Sequence, residues 1–165
     1  MYAHILLSTD GSDVARKGLE HGFALAKALN AKVTVITVTE PLPIDATEPA
    51  SMNVTGPLSI DFGSGQAGGW SAGEVDRFDA ASKERARKVL DEAQAMAERI
   101  GISAELLHIP NAHPASAMIE TAKSRGCDLI VMGSHGRRGL RKLFLGSQTS
   151  EVLADASVPV LVVHA

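Results

Sequence analysis

Cysteine occurs once in the 165 residues, at Cys127. That excludes an intrachain disulfide and a cysteine-rich zinc site, and a lone thiol just before an apolar run reads as a packed core residue. Aromatic residues make up only 4% of the chain against 45% hydrophobic residues in all. The core therefore has to be built from Ala, Val, Leu and Ile. No apolar run approaches the ~18 residues that a bilayer span requires. The start of the chain, Met1-Tyr2-Ala3-His4-Ile5-Leu6-Leu7, lacks a basic segment and a cleavage site and runs straight into a strand. A soluble, cytoplasmic protein without membrane insertion is expected, and in that setting the sequon Asn53-Val54-Thr55 carries no weight. The formal net charge of −3 gives no general attraction to nucleic acid or to an anionic surface. A Walker A lysine loop is also missing.

What is present is a regular alternation. Ile5-Leu6-Leu7-Ser8-Thr9 reads as a strand ending in Asp10-Gly11-Ser12, which is turn and N-cap chemistry. Val14, Gly18, Gly22, Leu25 and Leu29 follow at helical spacing, closed by Asn30. Lys32–Val38 is β-branched nearly throughout, as a strand covered on both faces should be. Phe78, Ala81, Arg85, Val89, Ala93, Met96 and Ile100 mark a long amphipathic helix ending at Gly101. Ala104–Ile109 is a third strand, His113-Pro114 opens a helix stopped by Gly126, and Asp128–Met132 is a fourth strand. A short helix over about 147–155 and a strand over Val158–Val163 complete the chain.

The order is βα-βα-βα-βα-β, the pattern of an α/β protein. With right-handed crossovers, the expected architecture is one doubly wound domain over 1–165: a five-stranded parallel sheet of order 3-2-1-4-5 with helices on both faces. Residues from about 40 to 73 interrupt it. Four of the seven prolines and six of the fifteen glycines fall there, and no Lys or Arg occurs between Lys32 and Arg77. This acidic, Pro/Gly-rich insert is longer than a connecting loop needs to be. Its Gly63-Ser64-Gly65-Gln66-Ala67-Gly68 spells a dinucleotide fingerprint but follows no strand of a βαβ unit, so it is read as accidental.

In such a sheet the winding reverses between the first and fourth strands, and ligands bind at the carboxyl ends there. Asp10 closes one of these strands and Gly133-Ser134-His135-Gly136 closes the other. After nine intervening residues, Gly146-Ser147-Gln148-Thr149 opens a helix, whose first N–H groups lack intrahelical acceptors and suit an anion. Arg137, Arg138, Arg141 and Lys142 lie between, and no acidic residue occurs from Gly133 to Ser150. The glycines at the strand exit are expected to let backbone N–H groups approach a ligand. Together these features describe a phosphate cradle. No metal-binding cluster is expected: His108 and His113 stand apart, without a carboxylate or third histidine beside them.

Ser8-Thr9-Asp10-Gly11-Ser12, Asp128–Gly136, Gly146-Ser147 and Val158-Pro159-Val160-Leu161-Val162-Val163 resemble the universal stress protein family over nearly the whole chain apart from the insert. The spacing Gly-x2-Gly-x9-Gly-Ser is that family's ATP-binding signature and is complete here. The resemblance implies that Thr9 and Asp10 contact the adenosine and that the main chain of Val38 meets the adenine. Met132 and Gly133 would border the ribose, and His135, Gly136, Gly146, Ser147, Gln148 and Thr149 would surround the phosphates. Gln148 stands where the family often has a small apolar residue. ATP is then the implied ligand, with Mg2+ or Mn2+ held by its phosphates. A homodimer through the edge strand Val158–Val163 is also implied, since relatives pair that apolar edge across a two-fold axis.

The function expected is an ATP-dependent regulatory or stress-response module, with an as yet unspecified protein partner and no residue assigned a catalytic role. The alternative is an ATP- or AMP-consuming enzyme, a slow ATPase or autophosphorylating protein, using the same crevice. A third reading is a structural dimer with an empty crevice. The Ser-Gly-Gly-x-Asp-Ser and His-x-Gly-His loops of adenylating α/β enzymes are absent.

Overall fold

Ile5, Leu6 and Leu7 are each fully buried, which puts the first strand at the centre of the molecule. The computed structural model describes residues 1–42, 71–135 and 146–164. Its elements run β1 (His4–Ser8), α1 (Asp13–Leu29), β2 (Lys32–Val38), α2 (Ala72–Ile100), β3 (Ala104–Ile109), α3 (Pro114–Arg125), β4 (Leu129–Gly133), α4 (Ser147–Asp155) and β5 (Val160–Val163). The five strands form one parallel sheet of order β3-β2-β1-β4-β5, as the alternation requires.

Side-chain alternation along the strands divides the core in two. Ile5, Leu7, Val33, Val35, Leu129 and Val131 pack against Leu19, Phe23 and Ala26 of α1 and Ala93, Met96 and Ala97 of α2. Leu6, Ile36, Ile130 and Met132 pack on the opposite face against Ala115, Met118 and Ala122 of α3 and Val152 of α4. The approach of α1 is unusually close. A Cβ on Gly22 would collide with the Leu7 side chain, and one on Gly18 would stand 3.4 Å from the Gly133 nitrogen.

Several boundaries differ from the sequence reading. β1 and β4 are displaced by one residue each, so Thr9 follows its strand and Gly133 ends its own. β5 begins at Val160 rather than Val158, although the Pro159 carbonyl already accepts the Ile130 N–H at 3.0 Å. The helix α2 starts six residues before Phe78. Ser71 caps it in a capping box, its hydroxyl accepting the Glu74 N–H while the Glu74 carboxylate accepts the Ser71 N–H at 2.8 Å. The Ser-x-x-Glu capping pattern stands inside a Gly-rich stretch, which masks it in composition. The Pro/Gly-rich insert itself lies almost wholly outside the described residues.

At the amino ends of the strands, Asp128 ties the chain's start to β4. Its carboxylate accepts the N–H groups of Ala3 at 2.8 Å and His4 at 3.0 Å. Burial alone would raise its pKa, but these bonds, together with its own N–H, outweigh that and hold it below the usual carboxylate value. Cys127 packs into the α3 face, 4% exposed, and burial pushes its thiol up to about 11. The packed-thiol reading of that residue is thereby met.

Candidate functional site

The register fixes what stands at the carboxyl edge of the sheet. Leu7 pairs with Val131 and Ser8 with Ile36. Continuing both ladders brings Thr9 level with Gly133, and Asp10 level with Val38. The Thr9 N–H still bonds to the Ile36 carbonyl at 3.0 Å, after which β1 leaves the sheet. Ile36 therefore faces β1, whereas Thr39 bonds across to Ile109 of β3 at 3.0 Å. Alternation along β2 then turns the peptide of Val38 to the β1 side, beyond that strand's last residue. The sheet geometry thus turns this main chain toward the β1 side, where the crevice lies.

The turn after β1 is built from side-chain hydrogen bonds to the backbone. The Thr9 hydroxyl accepts the Gly11 N–H at 3.2 Å, and Asp10 Oδ1 accepts the Ser12 N–H at 3.0 Å. Ser12 in turn caps α1 by accepting the Ala15 N–H at 3.2 Å. Thr9 is 6% exposed and Asp10 is half-buried, so Asp10 is the one whose side chain is within a ligand's reach.

Across the crevice, three hydrogen bonds join the exit of β4 to the first turn of α4, and a fourth joins that exit to β5. The Ser134 N–H donates to the Val163 carbonyl at 2.8 Å, and the Gly146 N–H donates to the Ser134 carbonyl at 2.9 Å. The Thr149 hydroxyl is shared between the carbonyls of Gly133 at 3.2 Å and Ser134 at 3.1 Å. Gly146 is the N-cap of α4 and brings no side chain to the cap. Helix geometry leaves the N–H groups of Ser147, Gln148 and Thr149 without intrahelical acceptors, at the positive end of the helix dipole. The Ser147 side chain is exposed beside them. His135 is half-buried, with its Nδ1 3.0 Å from the Ser134 hydroxyl.

Several residues singled out in the sequence also have work within the fold itself. The Cβ position of Gly133 is occupied by α1: it would meet Val14 Cγ1 at 2.9 Å and the Val14 backbone carbon at 3.2 Å. Its bare Cα makes room for α1. Gly146 is bare for a similar reason, since a Cβ there would lie 3.2 Å from His135 Cα. The Met132 side chain belongs to the α3-face core at 4% exposure, so only its backbone can border a ligand. Thr149 is 2% exposed and turns its hydroxyl inward to the carbonyls of Gly133 and Ser134. The Gln148 amide reaches to α3, where its Oε1 accepts the Ala115 N–H at 2.9 Å. Gly136 and the basic residues Arg137, Arg138, Arg141 and Lys142 lie outside the described residues. Among the described residues, no three His, Cys, Asp or Glu side chains come together as ligands for a cation.

The universal stress protein family model matches residues 1–164. The chain belongs to the universal stress protein family. A universal stress protein of Thermus aquaticus is 34% identical over 166 residues, covering 99% of this chain and 100% of that one. The solved structure of MJ0577, a universal stress protein of Methanocaldococcus jannaschii, superimposes with a TM-score of 0.75 at 24% identity, over 100% of this chain and 97% of that one. A universal stress protein solved in complex with cAMP superimposes at 0.65, with 23% identity, over 99% of this chain and 97% of that one. These likenesses establish the fold and the family. Among the described residues no helix is long and apolar enough to cross a membrane.

Proposed function

We propose that the protein is an ATP-binding regulatory module of the stress response rather than an efficient enzyme. One observation carries this reading: the first turn of α4, whose N–H groups lack intrahelical acceptors, is bonded directly to the exit of β4 at the point where the sheet reverses its winding. Fixed main-chain donors at that place suit the oxygens of a phosphate chain. Asp10 and the Val38 main chain stand at the other side of the crevice, where the adenosine would lie. The cAMP complex of a relative with the same fold supports an adenine nucleotide as the ligand class.

Mg2+ or Mn2+ would be held by the phosphate oxygens, and would neutralise charge that the backbone donors do not. The polar side chains of the α4 first turn favour binding over turnover. Thr149 and Gln148 spend their hydrogen bonds on carbonyls and on α3, which leaves the exposed Ser147 hydroxyl to face a ligand. Occupancy would order the surface around the crevice and alter what a partner reads.

Association through β5 is part of the same proposal. Val160–Val163 is an apolar edge strand, and Leu161 on it is 40% exposed. A two-fold pairing with a second copy would cover both.

Titration calorimetry with Mg-ATP tests the reading, together with mass spectrometry of nucleotide released from the freshly purified protein. Saturable heat and a co-purified adenine nucleotide are expected. Absence of both would overturn the proposal, and rapid multiple turnover of ATP would favour the enzymatic alternative.

A further inference from the structure

Gln148 is the second residue of α4, yet its amide serves another helix. The first turn of α3 is poorly capped by its own residues: the N-cap His113 makes no side-chain cap, and Pro114 has no N–H to satisfy. The Ala115 N–H is met instead by Gln148 Oε1, 2.9 Å away and 33 residues along the chain. That bond fixes the amide's orientation, because an N–H requires the oxygen. The Gln148 NH2 group is then the one 3.3 Å from His113 Nε2. It donates, so Nε2 accepts, and the neutral His113 ring carries its proton on Nδ1. Nδ1 lies 3.4 Å from Glu151 Oε1, one turn further along α4 and on the same face as Gln148.

The first turn of α4 is therefore held from two directions. Thr149 binds it to the exit of β4, and Gln148 with Glu151 binds it to the start of α3. We propose that Gln148 is a positioning residue: through Ala115 and His113 it sets the attitude of the α4 first turn, and so the strength with which the crevice holds phosphate, without touching the ligand. This rests on the proposed nucleotide site. The turn after β1 and the end of β2, where adenosine would lie, take no part in the tether. Its loss should then cost more as the ligand carries more phosphates.

The test uses the full chain with Gln148→Leu and Gln148→Glu, titrated with adenosine, AMP and Mg-ATP. Removing a cap of this kind predicts Mg-ATP binding weaker by about five- to tenfold in Gln148→Leu, with adenosine unchanged and AMP between them. Gln148→Glu keeps an oxygen for Ala115 and should recover the melting temperature that Gln148→Leu loses. An unchanged ratio of Mg-ATP to adenosine affinity, or an equal loss for all three ligands, overturns the positioning role. A wild-type chain that takes no Mg-ATP overturns the nucleotide reading, and the phosphate dependence with it. The tether is decided separately by nitrogen-15 NMR of neutral His113. The Nδ1–H tautomer in the wild type supports it, and a wild-type Nε2–H tautomer overturns it.

Discussion

The Thr149 hydroxyl lies 3.1 Å from the Ser134 carbonyl oxygen and 3.2 Å from that of Gly133, in a position sealed from water. One buried hydroxyl thus joins the strand exit to the helix start that together make the proposed phosphate site. Thr149→Val keeps the shape and removes the donor. It should cost about 1–3 kcal/mol, because two buried carbonyls lose a partner. Urea unfolding measures the loss, and Thr149→Ser should recover most of it.

Gly133→Ala is expected to destabilise through α1. The new methyl would meet Val14 Cγ1 at 2.9 Å and the Ala15 nitrogen at 3.3 Å, and backbone atoms cannot swing aside as a flexible side chain can. Overpacking of this kind costs about 1–3 kcal/mol. Gly146→Ala meets its nearest neighbour at 3.2 Å and should be milder in stability. Reversal of that order in denaturant midpoints would show that α1 yields more easily than its packing implies.

Asp128 predicts a pH dependence with a definite sign. Its folded pKa is lowered, so between the folded and unfolded values the unfolded chain binds more protons, and stability rises with pH. The contribution is fully present above the unfolded value of about 3.9 and disappears as pH falls through the lower folded value. Asp128→Asn should cost about 1 kcal/mol at neutral pH. The difference from wild type should shrink below about pH 4, as measured by denaturation across that range.

Cys127 should resist modification in the folded protein. Its thiol is buried and pushed up to about 11, so the thiolate that reacts is scarce at pH 8. Iodoacetamide should label it only after denaturant is added. Rapid labelling in native buffer would mean that the α3 face opens.

The β5 edge gives the test of association. Val162 packs into the α3-face core, so a charge there would damage the fold as well as an interface. Leu161 is the better probe, being 40% exposed on the same strand. Sedimentation should show a dimer for the wild type and a monomer for Leu161→Lys. A Leu161→Lys chain that remains dimeric would place the interface elsewhere.

Much of this was written in local pattern. The unbroken β-branched run of Val33–Val38 and the apolar Ile5–Leu7 and Leu129–Met132 imply strands buried on both faces, and the spacing of Gly18 and Gly22 implies a helix pressed against them. From these elements the order of the sheet and its switch point follow, because handedness and layer packing leave little choice. Gly133 and Gly146 stand at the end of β4 and the cap of α4, where the pattern of apolar runs and turn residues places them.

Tertiary structure alone decided what those residues do there. Gly133 admits α1, Thr149 serves two carbonyls, and Gln148 caps a helix that begins 34 residues before it. Periodicity in a sequence reports which face of an element is apolar, since that depends on spacing along one segment. It does not report which donor will stand opposite a given polar side chain. That partner is set by how separate helices settle on the sheet, and it exists only once the layers have packed.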